Sequence, residues 1–145
     1  MSHKGPIGTK GERGLRVGFV ASCFDLLHAG HCLMLKDAKD QCDWLVAALH
    51  TDPSKERFHK NTPIQSLEER LIQLQSIKYI DQIFTYESER DLMDLLRKVR
   101  PQVRILGSDH MGENFTGKNL DIPIFYHIRT HEWSTSELRD RIKNA

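Results

Sequence analysis

Arg16-Val-Gly-Phe-Val-Ala-Ser22, followed at once by Cys23-Phe-Asp-Leu-Leu-His-Ala-Gly-His31, is the stretch on which the fold turns. Residues 16–22 form a short apolar run ending in small residues, which suits a buried strand meeting a turn. Beyond the turn, Ala29 to Gln41 sets Cys32, Leu33, Leu35 and Ala38 among lysines and aspartates, the pattern of an amphipathic helix. A strand followed by a helix begins an α/β unit, and the rest of the chain repeats it. Asp43-Trp-Leu-Val-Ala-Ala-Leu-His50 is nearly all apolar, as a strand buried on both faces must be. Ser66-Leu-Glu-Glu69 is a capping box that opens a helix carrying Leu67, Leu71, Ile72, Leu74 and Ile77. Gln82–Tyr86 reads as a third strand. Ser88–Val99 reads as a third helix, stopped by Pro101, and Val103–Gly107 as a fourth strand. A long polar loop, Ser108–Asp121, leads to a fifth strand at Pro123–Ile128, and Ser134 caps a last helix through Ile142. This alternation predicts a doubly wound, Rossmann-like parallel sheet of five strands with helices on both faces. Ligands of such sheets bind beyond the carboxyl ends of the strands, so the loops after the first, second, fourth and fifth strands are the places to look.

The chain has 145 residues, enough for one domain with a real core. Residues 1–14 are set apart: Gly5, Gly8, Gly11 and Gly14 recur every third position, too few triplets for a triple helix, and the segment reads as a flexible tail preceding a single domain at 15–145. Lys+Arg 21 against Asp+Glu 20 leaves a net charge of +1, so no global basic field draws nucleic acid. No apolar run approaches the roughly 20 residues that span a bilayer. Cys23, Cys32 and Cys42 are an odd number in a chain that can do without disulfides, and they read as reduced thiols of a cytoplasmic protein.

The turn after the first strand carries the chemistry. His28 and His31 flank Gly30 at a helix N-terminus, where free N–H groups and a partial positive charge suit phosphate. Glycine there allows close approach to the backbone, and the imidazoles add donors, with charge when protonated. The same cysteines and histidines are suitable metal ligands in type, but their spacing contains no Cys-x-x-Cys pair and no metal site is expected.

The stretch Ser22–His31 resembles the His-x-Gly-His signature of the cytidylyltransferase-like nucleotidyltransferases, in which a Gly-x-Phe-Asp turn precedes the histidines. Their second landmark, Arg-Thr-x-Gly-x-Ser-Thr, is matched by Arg129-Thr-His-Glu-Trp-Ser-Thr-Ser136. Glu69-Arg70, Lys78-Tyr-Ile-Asp81 and Gly107-Ser-Asp109 extend the resemblance over most of the chain. It implies transfer of a nucleotidyl group from a nucleoside triphosphate, accompanied by Mg²⁺, to a phosphomonoester, with release of pyrophosphate. By that resemblance His28, His31, Lys60 and Arg129 are catalytic. Cys23, Phe24, Asp25, Gly30, Gly107, Asp109, Thr130, Ser134, Thr135 and Ser136 bind the nucleotide, with Asp25 orienting His31 or helping to hold Mg²⁺. Lys55 and Lys78 meet substrate phosphate. The chain looks most like the glycerol-3-phosphate branch, using CTP, whose small members are typically homodimers. Asn61-Thr-Pro-Ile-Gln-Ser-Leu-Glu-Glu-Arg70 resembles instead the loop and helix opening of adenylyltransferases acting on heptose-type sugar phosphates, which also carry a close form of Cys23–His31. A nucleotide-binding module without turnover is the third reading.

Two departures stand out. Ser22 replaces the customary glycine two residues before Phe24, with a strain cost if that position needs positive φ. Glu132-Trp133 replaces Gly-Ile: the indole could stack on base or ribose, and the carboxylate must turn outward to avoid a triphosphate.

Overall fold

The computed structural model describes residues 14–145; of the Gly-rich segment only Gly14 lies within it, so the expectation of a tail falls outside the described residues. Five strands, β1 (Val17–Ser22), β2 (Trp44–His50), β3 (Gln82–Tyr86), β4 (Val103–Gly107) and β5 (Ile124–His127), alternate with four helices. The helices are α1 (Ala29–Asp40), α2 (Leu67–Gln75), α3 (Glu89–Val99) and α4 (Thr135–Lys143). Every strand pair is parallel and the order is β3-β2-β1-β4-β5. The chain builds outward from β1 to β3, then returns to lay β4 on the other side of β1. The order therefore reverses between β1 and β4, and the crevice above their carboxyl ends is where such a sheet takes a ligand.

The near-continuous apolar run of β2 is buried on both faces, as its composition requires. Leu45, Ala47 and Leu49 join Val20, Leu35, Leu74 and Ile105 in one core cluster, while Val46 and Ala48 join Phe19, Leu92, Leu96 and Val99 in the other. Successive residues of a strand face opposite ways, so the two clusters alternate along it. Helices α1 and α2 cover one face and α3 the other. Ser66 caps α2 as anticipated: its hydroxyl accepts from Glu69 N–H at 3.1 Å, and its own N–H donates to the Glu69 carboxylate at 2.8 Å. The helix is shorter than its apolar spacing predicts. It closes at Ser76, so Ile77 packs from the following turn, and Ile72 is exposed.

Two features of the polar connections matter for the site. The loop after β4 forms 3-10 turns at Ser108–His110 and Lys118–Leu120. At Gly117, φ is +85°, and a Cβ would meet Leu96 Cδ1 at 2.6 Å and Arg104 Nη1 at 3.0 Å. Only glycine lets the loop lie this close to β4. Helix α4 buries none of its residues and is tied down by polar contacts at its N-terminal half.

Candidate functional site

The β1–α1 turn is a built structure. Phe24 (φ 50°) and Leu26 (φ 53°) take the left-handed conformation, whereas Ser22 remains the last residue of β1 and has no positive φ. The strain anticipated at Ser22 is thus absent there; its hydroxyl accepts the Phe24 N–H at 3.3 Å and helps close the turn. Asp25 is 5 % exposed, and both carboxylate oxygens are occupied. They accept N–H groups of Ile64 and Gln65, each at 2.9 Å, and Arg139 Nη2 at 3.1 Å. None of these bonds reaches His31, so Asp25 does not orient it by a hydrogen bond as expected; it joins the turn to the loop before α2 and to α4. No group of three or more metal-ligating side chains lies together among the described residues.

Hydrogen bonding settles the state of both histidines. His28 caps α1, its Nδ1 accepting the Gly30 N–H at 3.0 Å, and its backbone N–H donates to His31 Nδ1 at 3.2 Å. With both Nδ1 atoms used as acceptors, each neutral ring carries its proton on Nε2. His28 Nε2–H then donates to Thr135 Oγ1 at 3.3 Å, and that hydroxyl donates to the Asp25 carbonyl at 3.4 Å. The rings lie 3.9 Å apart between centroids. Burial, reinforced by the neighbouring His28, pushes the His31 pKa down to about 3. His28 is lowered too, by burial first and by His131 and Arg129 next. The pair is therefore neutral at pH 7, with the His31 Nε2–H free to donate and that of His28 resting on Thr135 Oγ1, and it lacks the imidazolium charge that protonation would supply.

Gly30 has a different reason from the one its spacing suggests. A Cβ would meet the Trp133 carbonyl at 2.9 Å and His131 Cε1 at 3.0 Å, so the glycine lets the β5–α4 loop close onto the start of α1. Gly30→Ala is expected to cost about 1–3 kcal/mol through overpacking and to push residues 131–133 outward. Thermal melting together with a nucleotide titration checks it: a wild-type Tm and wild-type affinity would contradict the packing argument.

Two adjoining cavities open over the β1–β4 crevice, of about 340 Å³ and about 320 Å³, and His31, Thr135, His110 and Leu106 line both. The smaller takes His28, Gly30, Gly107, Asp109, Arg129 and Ser134 from among the anticipated residues. The larger takes Cys23, Phe24, Asp25, Lys60 and Ser136. Three anticipated residues stay outside both. Lys55 ends an exposed 3-10 turn, and Thr130 is exposed at the β5–α4 loop. Lys78 is exposed in the turn before β3, 5.3 Å from the Tyr79 ring centroid, at the end of the sheet opposite the cleft. Glu132 is exposed and lines neither cavity, which removes its conflict with a triphosphate, while Trp133 lines the smaller cavity and stacks on His131 at 4.8 Å.

Several cleft residues were not legible in the chain. Arg104 and Tyr86 sit inside strands that read as apolar core, Glu89 opens α3, and Arg57 lies in an unpatterned loop, yet all four line the larger cavity. Arg70 pairs with neither Glu69 nor Asp81; Asp81 is held by Lys39. Instead Arg70, 2 % exposed, donates to the carbonyls of His50, Thr51, Cys23 and Gln65 and so ties the β1–α1 turn to both ends of the β2–α2 loop. Burial raises the Cys23 thiol pKa, leaving a poor nucleophile beside the site.

Residues 19–141 match the cytidylyltransferase-like family. Among curated proteins, "Bifunctional protein HldE" of Caulobacter sp. (strain K31) is 38% identical over 109 residues, 74% of this chain and 22% of the relative. "Bifunctional protein HldE" of Campylobacter curvus is 32% identical over 142 residues, 96% of this chain and 29% of the relative. The chain thus spans less than a third of the length of these relatives. Among solved structures, a lipopolysaccharide core biosynthesis protein from Thermoplasma volcanium superposes with TM-score 0.59 at 24% identity, covering 90% of this chain and 88% of that one. A pantoate-beta-alanine ligase from Francisella tularensis gives TM-score 0.58 at 17% identity, with coverage of 89% and 69%, a likeness of fold alone. A parallel sheet with its order reversed at β1, a paired-histidine helix N-terminus in the crevice and a match over nearly all the described residues have one joint meaning: the chain belongs to the cytidylyltransferase-like family of nucleotidyltransferases.

Proposed function

We propose that this domain transfers an adenylyl group from ATP to the phosphate of a heptose-type sugar phosphate, releasing pyrophosphate. The observation that carries the two-substrate reading is His31, which stands on the wall shared by two cavities, each large enough to be a subsite of its own. In this reading the nucleotide takes the lobe of His28, Asp109, Arg129 and Trp133, and the acceptor takes the lobe of Lys60 and Arg57. An acceptor phosphate oxygen attacks the α-phosphorus, a new P–O bond forms, and the bond to the β-bridging oxygen breaks as pyrophosphate leaves. Phosphate oxygen is already a nucleophile, so no general base is needed; positioning and charge stabilisation do the catalysis. The Nε2–H of His31, joined by that of His28 once it exchanges Thr135 Oγ1 for substrate, donates to oxygens on which charge grows, and the Arg129 guanidinium and the first N–H groups of α4 take the triphosphate. Mg²⁺ accompanying the triphosphate would neutralise charge on its phosphate oxygens; among the described residues no group of three or more ligating side chains lies together to hold it.

The choice of acceptor and base is supported by Asn61–Arg70, which resembles the heptose-phosphate branch, and by the similarity to HldE proteins. Arg129-Thr130 favours the other enzymatic reading, CTP with glycerol 3-phosphate. Pyrophosphate release, followed with each nucleoside triphosphate against a panel of phosphomonoesters, separates them. ATP with a heptose phosphate is the expected productive pair. Release confined to CTP and glycerol 3-phosphate would replace the proposal. Tight nucleotide binding without release for any pair would make the domain a binding module.

A further inference from the structure

The larger lobe contains a cation whose partners do not account for it. Arg104, on β4, is 4 % exposed and lines this cavity. One guanidinium nitrogen, Nη1, donates to the Thr116 carbonyl, and the guanidinium carbon lies 5.3 Å from the Phe115 ring centroid. Its Nε is buried with no hydrogen-bond partner. Among the described residues Arg104 forms no ion pair. The nearby carboxylate, Glu89, has its Oε1 engaged by Arg57 Nη2 at 3.0 Å and by the Thr116 hydroxyl, and makes no bond to Arg104. A buried charge is ordinarily paired and its donors satisfied, because the cost of leaving it otherwise is several kcal/mol. Nη2, which makes no hydrogen bond among the described residues and is not among the buried unpartnered atoms, is the nitrogen left to meet an anion entering the cavity from outside the chain. Burial lowers the Arg104 pKa, with Tyr86 and Glu89 opposing, and an arginine so lowered still carries its charge at pH 7.

The surroundings define what kind of anion fits. Lys60 and Arg57 add cations at the same cavity, and Arg139, bound to Asp25, adds another. Tyr86, whose hydroxyl burial keeps protonated, and the Glu89 carboxylate supply a donor and an acceptor for neighbouring hydroxyl groups. We propose that Arg104 is the specificity-determining cation of the acceptor lobe: it takes the phosphate of the second substrate, with Glu89 and Tyr86 addressing the hydroxyls of the sugar attached to it. The inference rests on the two-substrate reading given above and assigns one of its subsites to named residues. Its consequence is that the lobe selects a polyhydroxylated phosphate ester over an unphosphorylated sugar and over a bare alkyl phosphate.

The test is a split between the two Michaelis constants. Arg104→Met keeps length and burial and removes the charge. It is expected to raise the KM for the sugar phosphate roughly 10- to 100-fold while the KM for the nucleotide stays within about two-fold. Arg104→Lys restores charge without the fork and is expected to fall between wild type and Met. An acceptor KM that does not move, or two constants that rise together as they would from a loosened 108–121 loop, overturns the assignment. A second measurement does not depend on the variants folding or on turnover. In the ¹⁵N-labelled wild-type protein the Arg104 Nε–H resonance is expected to shift on addition of a hexose phosphate and to stay put on addition of the unphosphorylated hexose. No shift with the hexose phosphate sinks the proposal. A shift without pyrophosphate release for any substrate pair would keep the subsite and discard the reaction; release with an unchanged acceptor KM in Arg104→Met would do the reverse.

Discussion

His31→Ala is expected to lower kcat about 10²- to 10³-fold, the usual effect of removing one donor to a developing oxyanion. The argument is geometric. His31 Nδ1 is occupied by the His28 N–H, so the ring presents Nε2–H on the wall between the two lobes. Its hydrogen bond strengthens as charge builds on the phosphoryl oxygens, so the loss falls on kcat more than on KM. Steady-state kinetics on the productive pair checks this, and an unchanged kcat would remove His31 from the mechanism. The same variant has a stability signature. The folded His31 pKa of about 3 lies below the ordinary 6.5, so below pH 6.5 the unfolded chain binds a proton that the folded chain refuses. Stability due to this group is present above pH 6.5 and is lost as pH falls toward 3. At about pH 4.5 the loss is on the order of 2 kcal/mol. Urea denaturation at neutral and acid pH is expected to show that His31→Ala loses less on acidification than wild type, although its lost acceptor at the start of α1 costs about 1 kcal/mol at pH 7. Across neutral pH the rate profile is expected to carry no inflection from this histidine.

Arg70→Leu is expected to destabilise the fold by about 3–5 kcal/mol, the largest stability effect of any single change considered. Arg70 makes its bonds to four carbonyls, with His50 O at 2.6 Å and Thr51 O at 2.7 Å the shortest. Leucine fills part of the volume and satisfies none of these acceptors, each of which then pays about 1–3 kcal/mol if it stays dry. Water entering from the cleft reduces the sum. Arg70→Lys is expected to recover little, because a single ammonium cannot span carbonyls on the β1–α1 turn and at both ends of the β2–α2 loop. Chemical denaturation provides the measurement; a midpoint within error of wild type would show the clamp to be dispensable.

These two residues lie on opposite sides of what a single chain discloses. His31 was legible because its partners are local: the strand end, the left-handed turn, the glycine and the helix cap all fall within Ser22–His31. Arg70 was visible only as a residue beside Glu69, and its position in α2 gave no reason to expect carbonyl partners from the β1–α1 turn and the far end of the β2–α2 loop. Lys78 errs in the other direction. Its charge and family position suggested phosphate, yet the turn that carries it sits at the wrong end of a parallel sheet, a fact of topology that no local pattern records.

Strand and helix positions, the alternation of buried faces along β2, the caps at Ser66 and Ser134 and the phosphate-suited start of α1 were all determined by the sequence itself. Each depends on a period of two or 3.6 residues, or on a side chain reaching a backbone group within about four positions. Tertiary structure alone decided the support that Asp25 gives the loop before α2 and α4, the place of Arg104 in the cleft wall and the exclusion of Lys78 from it. Those outcomes turn on contacts such as Asp25 with Arg139, 114 residues apart, and on how much water each group retains once the sheet closes. Distance along the chain carries no information about either.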